Sequence, residues 1–263
     1  MIDSISSYLS EISPYIKNMD EMHWFRGLGS DNYKLNPSLY RHPKITDETE
    51  LHNLEKKLIT RFKERSIPYL PKQTESIWEI MFIMQHYGLP TRLLDWSENP
   101  LIALFFALSS NEPDKVTGDY LNKSVIWVLS PKKWNETVFN HVTYSGAALS
   151  ITDRLISSYD PLSIDNTPAM PAAIWGLHNS PRIVAQRGTF ILFGSKNSSM
   201  EDMLNSLSFP SDTLVKFEIE PQNIKKILDE MIASGQADTS VYPGLDGLAK
   251  EMKRIFGFGD FYV

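Results

Sequence analysis

No cysteine occurs among the 263 residues. A disulfide framework, a thiolate metal site and a cysteine nucleophile are thereby excluded, and a reducing cytoplasm is the expected compartment. Long apolar runs are missing too. The longest, around Leu101 to Leu108, falls far short of the ~18–20 residues of a membrane span and reads as a buried helix. The first 24 residues hold no basic stretch followed by an apolar one, so no signal peptide is expected. Positive charge is not in excess: 26 Lys and Arg stand against 32 Asp and Glu, a net charge of −6. That argues against broad non-specific binding to nucleic acid, while a local basic groove stays open. The six histidines, at 23, 42, 52, 86, 141 and 178, show no ligand spacing, and no metal site is expected. There is no repeat, heptad array or low-complexity tract. What remains has ordinary globular composition, 42% hydrophobic and 22% charged, long enough for one large domain or two small ones.

Against that plain background one stretch stands out, Gln85 to Leu108, reading QHYGLPTRLLDWSENPLIALFFAL. It sets Gln, His, Tyr, Arg, Asp and Trp directly against the most apolar run of the chain. Buried polar groups cost a few kcal/mol each unless they find partners. Such a cluster is either an internal hydrogen-bond network or the floor of a site.

Residues 1–20 read as an N-terminal helix, with Ile5, Tyr8, Leu9, Ile12 and Ile16 near helical spacing, Asp3 or Ser4 as cap and Pro14 near its end. MHWFRGLGS (22–30) is a short β-favouring run stopped by glycines. Residues 42–88 form a helical insertion: an amphipathic helix over Ile45–Arg65, a Pro-containing loop, and an apolar helix over Ile77–Tyr87 halted by Gly88 and Pro90. Arg92–Trp96 predicts a short strand, and Ser97 caps a helix over Asn99–Leu108 with Pro100 in its first turn. Ser124–Leu129 predicts a central strand. Residues 132–171 are polar, lack periodicity and read as an irregular excursion with short helices. Ile183–Ala185 and Thr189–Phe193 predict two strands flanking Gln186-Arg187-Gly188, Leu214–Ile219 a further strand, Pro221–Ser234 a helix, and Val241–Phe256 a turn followed by a helix. Five or six strands with helices concentrated in the first half predict an α+β fold, a mixed sheet within a single domain spanning 1–263.

Several residues carry two readings. Arg26 either closes a strand at the surface or, with Gly27 allowing close approach and Arg41 following, meets a ligand. Arg92 and Asp95 are either a buried ion pair locking the turn or part of a site. His86 beside Tyr87 is more often a hydrogen-bonded core histidine than a base. Ser97 is fully explained as a helix cap, and no Gly-x-Ser-x-Gly accompanies it. Asp246, in PGLDG, forms a turn. Arg182 either reaches the site or closes a strand edge.

WFRG (24–27), NPSLYR (36–41), residues 78–107, PRIVAQRGTF (181–190) and VYPGLDGLA (241–249), in that order, resemble the FRG domain family, named for the step seen here as Phe25-Arg26-Gly27. The family is widespread in bacteria and phages, and its name assigns no reaction. A second resemblance is chemical. Phe25-Arg26-Gly27 is similar to the aromatic-Arg-Gly step that begins the NAD site of arginine–serine–glutamate ADP-ribosyltransferases. Asp95-Trp96-Ser97 running into the next helix is similar to their strand–serine–helix join, and Gln186-Arg187-Gly188 takes the place of their later acidic pair. This chain departs at that last motif: Gly188 stands where the catalytic Glu is expected.

The resemblance implies an ADP-ribosyltransferase-like sheet core and a toxin or phage-defence effector that uses NAD as substrate. Arg26 would hold the diphosphate by charge-assisted bonds, with Gly27 and Arg92 in the same cofactor site. Ser97 would orient the nicotinamide ribose, and Tyr87 or Trp96 would stack on the nicotinamide. Gln186, or an acid at Asp95 or Asp246, would stabilise the charge that develops as nicotinamide leaves. Arg41, Gln85, His86 and Arg182 would contact the substrate. The acceptor would be a protein or nucleic acid, and an antitoxin or regulator protein a natural partner. A non-catalytic nucleotide- or nucleic-acid-binding module, and a structural domain with a buried polar network, are the alternatives. The reading requires Arg26, Arg92, Ser97 and Gln186 to line one cleft.

Overall fold

The computed structural model describes residues 1–17, 21–70, 74–140, 142, 144, 146, 148–163 and 167–258. Six strands form one open sheet: β1 (Trp24–Leu28), β2 (Leu93–Ser97), β3 (Ser124–Leu129), β4 (Ala172–Trp175), β5 (Gly188–Leu192) and β6 (Leu214–Ile219), in the order β4-β5-β2-β1-β3-β6. Every ladder is antiparallel, so the sheet is not the mixed one expected.

Around it lie α1 (Ile5–Glu11), α2 (Ser13–Ile16), α3 (Glu48–Ser66), α4 (Ile77–His86), α5 (Pro100–Ser109), α6 (Pro131–Val138), α7 (Pro181–Gln186), α8 (Met200–Ser206), α9 (Pro221–Ala233), α10 (Asp238–Val241) and α11 (Leu245–Ile255). Helices therefore follow the sheet strands throughout and are not gathered in the first half.

Local chemistry explains the boundaries. Asp47 caps α3 by accepting from Glu50 N, and Lys63 and Arg65 sit in its last turn, where cations meet the negative end of the helix dipole. Ser4 caps α1, and Pro14 opens α2 instead of ending a longer helix, because proline is tolerated in a first turn. Asn99, not Ser97, caps α5, its side chain accepting from Leu101 N. Ser97 is the last residue of β2. Ile183–Ala185 lies in helix α7: Ser180 caps it and Pro181 starts it, and that start signal outweighs the β preference of Ile183 and Val184. Of residues 132–171, the first seven lie in α6, which begins at Pro131, and a 3₁₀ segment spans Arg154–Tyr159.

Strand alternation divides the sheet into two faces. The first carries Phe25 and Gly27 of β1, Ile126 and Val128 of β3, and Leu93, Phe190 and Leu192. It is covered by α5, α9 and α4. The second carries Trp24, Leu28, Leu94, Trp96 and Trp127, under Leu35, Leu39, Leu51 of α3, Trp134 of α6 and Met200 of α8. α5, whose Ile102, Leu104, Phe105 and Leu108 are all buried, lies hard against β1. A Cβ on Gly27 would stand 1.9 Å from the Ala103 carbonyl oxygen and 2.5 Å from Ala107 N. Only glycine admits that approach.

Residues 42–88 deliver a buried ion pair to the sheet. Glu55 of α3 and Arg92, just before β2, are almost wholly inaccessible and meet at 3.2 Å through Arg92 Nε. Arg92 Nη2 donates to the Tyr159 carbonyl. Burial holds the Glu55 carboxyl above the ordinary carboxylate range, and the Arg92 guanidinium offsets that only in part.

Candidate functional site

β1 pairs with β3 over five positions, Trp24 to Leu28, but with β2 only at Phe25↔Ser97. β2 meanwhile pairs with β5 along its whole length. Past the Phe25–Ser97 pair the two strands part, and the sheet forks. Arg26 bridges the fork: its Nη1 donates to the Asp95 carbonyl oxygen, which the neighbouring strand leaves open.

On the first face a cavity of about 220 Å³ opens at this fork. β1 and β2 contribute Gly27, Asp95 and Ser97 from this face, while Arg26 and Trp96, which alternate to the second face, border it at the fork; α4 contributes Phe82, Gln85 and His86. α5 and β5 close it with Phe106, Gly188 and Phe190, and α7 adds Arg182, Ile183 and Gln186.

A short relay fixes the one carboxylate among these lining residues. Thr91 Oγ1 donates to Gln85 Oε1, and Gln85 Nε2 donates to Asp95 Oδ2 at 2.7 Å. Asp95 is itself exposed. Burial lowers the pKa of the Arg26 guanidinium, the Asp95 charge raises it and the nearby Arg41 lowers it. Arg26 Nε is buried without a hydrogen-bond partner. Burial, seconded by Arg182, holds His86 below the ordinary imidazole value of 6.5, so near neutral pH the ring is uncharged. Its Nδ1 lies 3.4 Å from Ser180 Oγ. Arg182 stacks over Tyr242 at 4.8 Å.

Two other lining residues are occupied with the fold. Ser97 Oγ donates to the Gln186 carbonyl at 2.6 Å and accepts from Asn99 N at 2.9 Å. Gln186 Nε2 donates to the Val241 carbonyl at 3.0 Å. They tie β2 to α7 and α7 to α10. Immediately after Gln186, where α7 ends and β5 begins, Arg187 adopts a left-handed backbone with φ 46°, a conformation that costs a non-glycine residue roughly 1 kcal/mol or more.

The structure thus brings together Arg26, Gly27, Gln85, His86, Asp95, Trp96, Ser97, Arg182 and Gln186. The indole of Trp96 belongs to the second-face core, although the residue borders the cavity. Arg92 is not in the cleft: its partner is Glu55, from a helix some forty residues upstream, and not Asp95. Tyr87 is exposed and edge-on to His86, outside the lining. Arg41 ends a 3₁₀ turn and is exposed. Asp246 lies exposed in the first turn of α11. The aromatic lining of Phe82, Phe106 and Phe190 was not anticipated, since each falls in a run that reads as core. Alternation along β5 was the available signal, because it puts Phe190 on the same face as Gly188. Among the described residues no group of three or more His, Asp or Glu is placed to hold a metal ion, and His141 lies outside the described residues. No helix among them is long and apolar enough to cross a membrane.

Residues 21–116 match the family model described as the FRG domain. That span runs from β1 through α5 and includes Arg26, Gly27, Gln85, His86, Asp95 and Ser97, while Arg182 and Gln186 come from beyond it. No curated protein and no solved structure matches the chain.

Proposed function

We propose, for a chain that carries an FRG domain across residues 21–116, that the cleft at the sheet fork binds NAD and transfers its ADP-ribose to a macromolecular acceptor. One observation carries the reading: the fork gathers two guanidiniums, Arg26 and Arg182, and a single oriented carboxylate, Asp95, around one cavity. Arginines suit a diphosphate because their donors are fixed and permanently charged. The strand–serine–helix join at Ser97 is the part of the resemblance to an ADP-ribosyltransferase NAD site that this reading draws on.

At about 220 Å³ the cavity is just below the ~300–1,000 Å³ of pockets that enclose a drug-sized ligand. It has room for one ring and its sugar, with the rest of a dinucleotide along the open mouth. Phe82, Phe106 and Phe190 supply apolar walls for the departing base. In the transfer, the bond from ribose to nicotinamide breaks, the acceptor's nucleophile bonds the same carbon, and its proton passes to Asp95 or to water. Asp95 takes the role that Gly188 cannot. Ser97 and Gln186, already engaged with backbone carbonyls, position the walls. Such an activity suits an effector of the toxin or defence type, with a regulator protein as its counterpart.

A second reading, a nucleotide-binding module without turnover, draws on the hold that Gln85 already has on Asp95 Oδ2. One experiment separates the two. The protein is incubated with NAD labelled in its ADP-ribose portion, with and without cell extract, while nicotinamide release, labelled macromolecules and melting temperature are followed. Transfer predicts release that Asp95→Asn reduces about a hundredfold or more and that Arg26→Lys weakens through KM. A rise in melting temperature without release supports the module. Neither release nor a thermal shift refutes both.

A further inference from the structure

Thr91 lies between α4 and β2, two residues before Leu93, and is 1% exposed. Its main chain is fastened to the 3₁₀ turn Ser38–Arg41: the amide donates to Ser38 Oγ at 3.3 Å, and the carbonyl accepts from Leu39 N at 3.1 Å. The hydroxyl has other partners. Leu93 N donates to Thr91 Oγ1 at 3.1 Å, and Oγ1 in turn donates to Gln85 Oε1.

A hydroxyl has one hydrogen and two lone pairs. With one lone pair taken by Leu93 N–H, the hydrogen goes to Gln85, and it finds an acceptor there only if Gln85 presents its oxygen. The amide nitrogen then faces the other way, where Nε2 donates to Asp95 Oδ2 at 2.7 Å. Turned over, the amide would set its oxygen against the carboxylate and bring a second donor to the hydroxyl, whose own hydrogen would lose its acceptor. A buried polar group stripped of its partner is destabilising. Thr91 thus fixes the sense of the chain from Leu93 N to Asp95.

The main chain of Asp95 is pinned by its pairing with Phe190 and by Arg26 on its carbonyl. Its exposed carboxyl has only the broad preference of a terminal torsion to orient it, so the Gln85 amide decides. Oδ2 is taken by that donor, while Oδ1 has no hydrogen-bond partner among the described residues. We infer that Thr91 is a positioning residue that acts through Gln85 to divide the carboxylate of Asp95, with Oδ2 as the anchored end and Oδ1 as the oxygen that takes a proton in the cleft. The kinetic consequence rests on the reading of the cleft as a transfer site. As the acceptor's nucleophile bonds the ribose carbon and nicotinamide leaves with the bonding electrons, the acceptor's proton goes to Oδ1. Thr91 is not among the residues lining the cavity, so its loss should slow transfer without weakening the hold on NAD.

Two measurements test this, one of them free of any reaction. In the ¹⁵N-labelled protein the Gln85 side-chain amide, identified by its loss in Gln85→Leu, should exchange with solvent about tenfold more slowly than an exposed glutamine amide. Thr91→Ser should keep that protection and Thr91→Val should abolish it. In the transfer assay Thr91→Val should lower kcat about tenfold or more with KM for NAD within about twofold, and Thr91→Ser should restore kcat. Gln85→Leu, at a half-buried position, should lower kcat as far, and covers the case in which Thr91→Val does not fold. The two changes together should cost no more than either alone, since they break one chain. A wild-type Gln85 amide that exchanges like an exposed one, a Thr91→Val loss confined to KM, or a Thr91→Ser as slow as Thr91→Val would overturn the inference. No nicotinamide release from the wild-type protein would refute the transfer reading instead, and the amide exchange would then decide the part of Thr91 by itself.

Discussion

Replacing Glu55 with alanine should destabilise the protein by about 3–5 kcal/mol, because it leaves the Arg92 cation in the core without its counter-charge. The structure sets that magnitude. Glu55 and Arg92 are 1% and 0% exposed at their side chains, so water cannot replace the lost partner. Arg92 keeps one bond to the Tyr159 carbonyl, while its Nη1 is already buried without a partner. Glu55→Gln preserves the volume and an acceptor but not the charge, and should cost about 1.5–3 kcal/mol. The double variant Glu55→Met with Arg92→Met removes both charges and refills the space. It should sit well above Glu55→Ala, short of wild type by about 1 kcal/mol for the lost Tyr159 bond. Equilibrium urea unfolding followed by tryptophan fluorescence reads these values as midpoint shifts at constant slope. In a chain of this size each kcal/mol is about 2–4 °C in Tm, so Glu55→Ala should melt about 6–20 °C lower. If Glu55→Ala falls within 1 kcal/mol of wild type, or the double variant is worse than the single, the ion pair is not what holds α3 against the start of β2.

Gly27→Ala should destabilise by about 3 kcal/mol or leave the protein insoluble, since the new Cβ meets backbone atoms of α5 that no rotamer change can move; thermal melts of the soluble fraction check this. Stability should also fall on acidification. Burial holds His23 below its ordinary value of 6.5, with Glu21 pulling the other way. The folded state then resists a proton that the unfolded chain accepts, so the stabilisation is complete above pH 6.5 and is lost as pH falls through the folded value. His23→Asn should flatten the dependence of Tm on pH between 7 and 5.5 relative to wild type, and an unchanged slope would contradict the assignment.

The strands and the polar stretch from Gln85 were legible because alternation and caps are local signals. β1, β3, β5 and β6 follow from runs such as WFRGL and SVIWVL, and α5 from an apolar decade opened by Asn-Pro. What was not legible depends on contacts far apart in sequence. Arg92 finds Glu55 across thirty-six intervening residues, while a nearby carboxylate at Asp95 invites the wrong pairing. Ile183 and Val184 favour a strand by themselves, and only Ser180-Pro181 reverses that preference. Ser97 and Asn99 compete for the same cap, and the shorter reach of Asn99 to Leu101 N decides it, freeing Ser97 to hold α7. The face on which Phe82 and Phe106 lie could not be read at all, since both α4 and α5 are apolar around most of their circumference.

The single pair between Phe25 and Ser97 has a mechanical meaning. β4, β5 and β2 form one leaf and β1, β3 and β6 another, each laced along its strands, and one residue pair forms the spine between them. α5 and the Arg26 guanidinium splint that spine from the side. The stiffness of the sheet is therefore lowest along the line where the cleft opens, and a small change in the splay of the two leaves alters the width of its mouth while leaving each leaf's own packing intact.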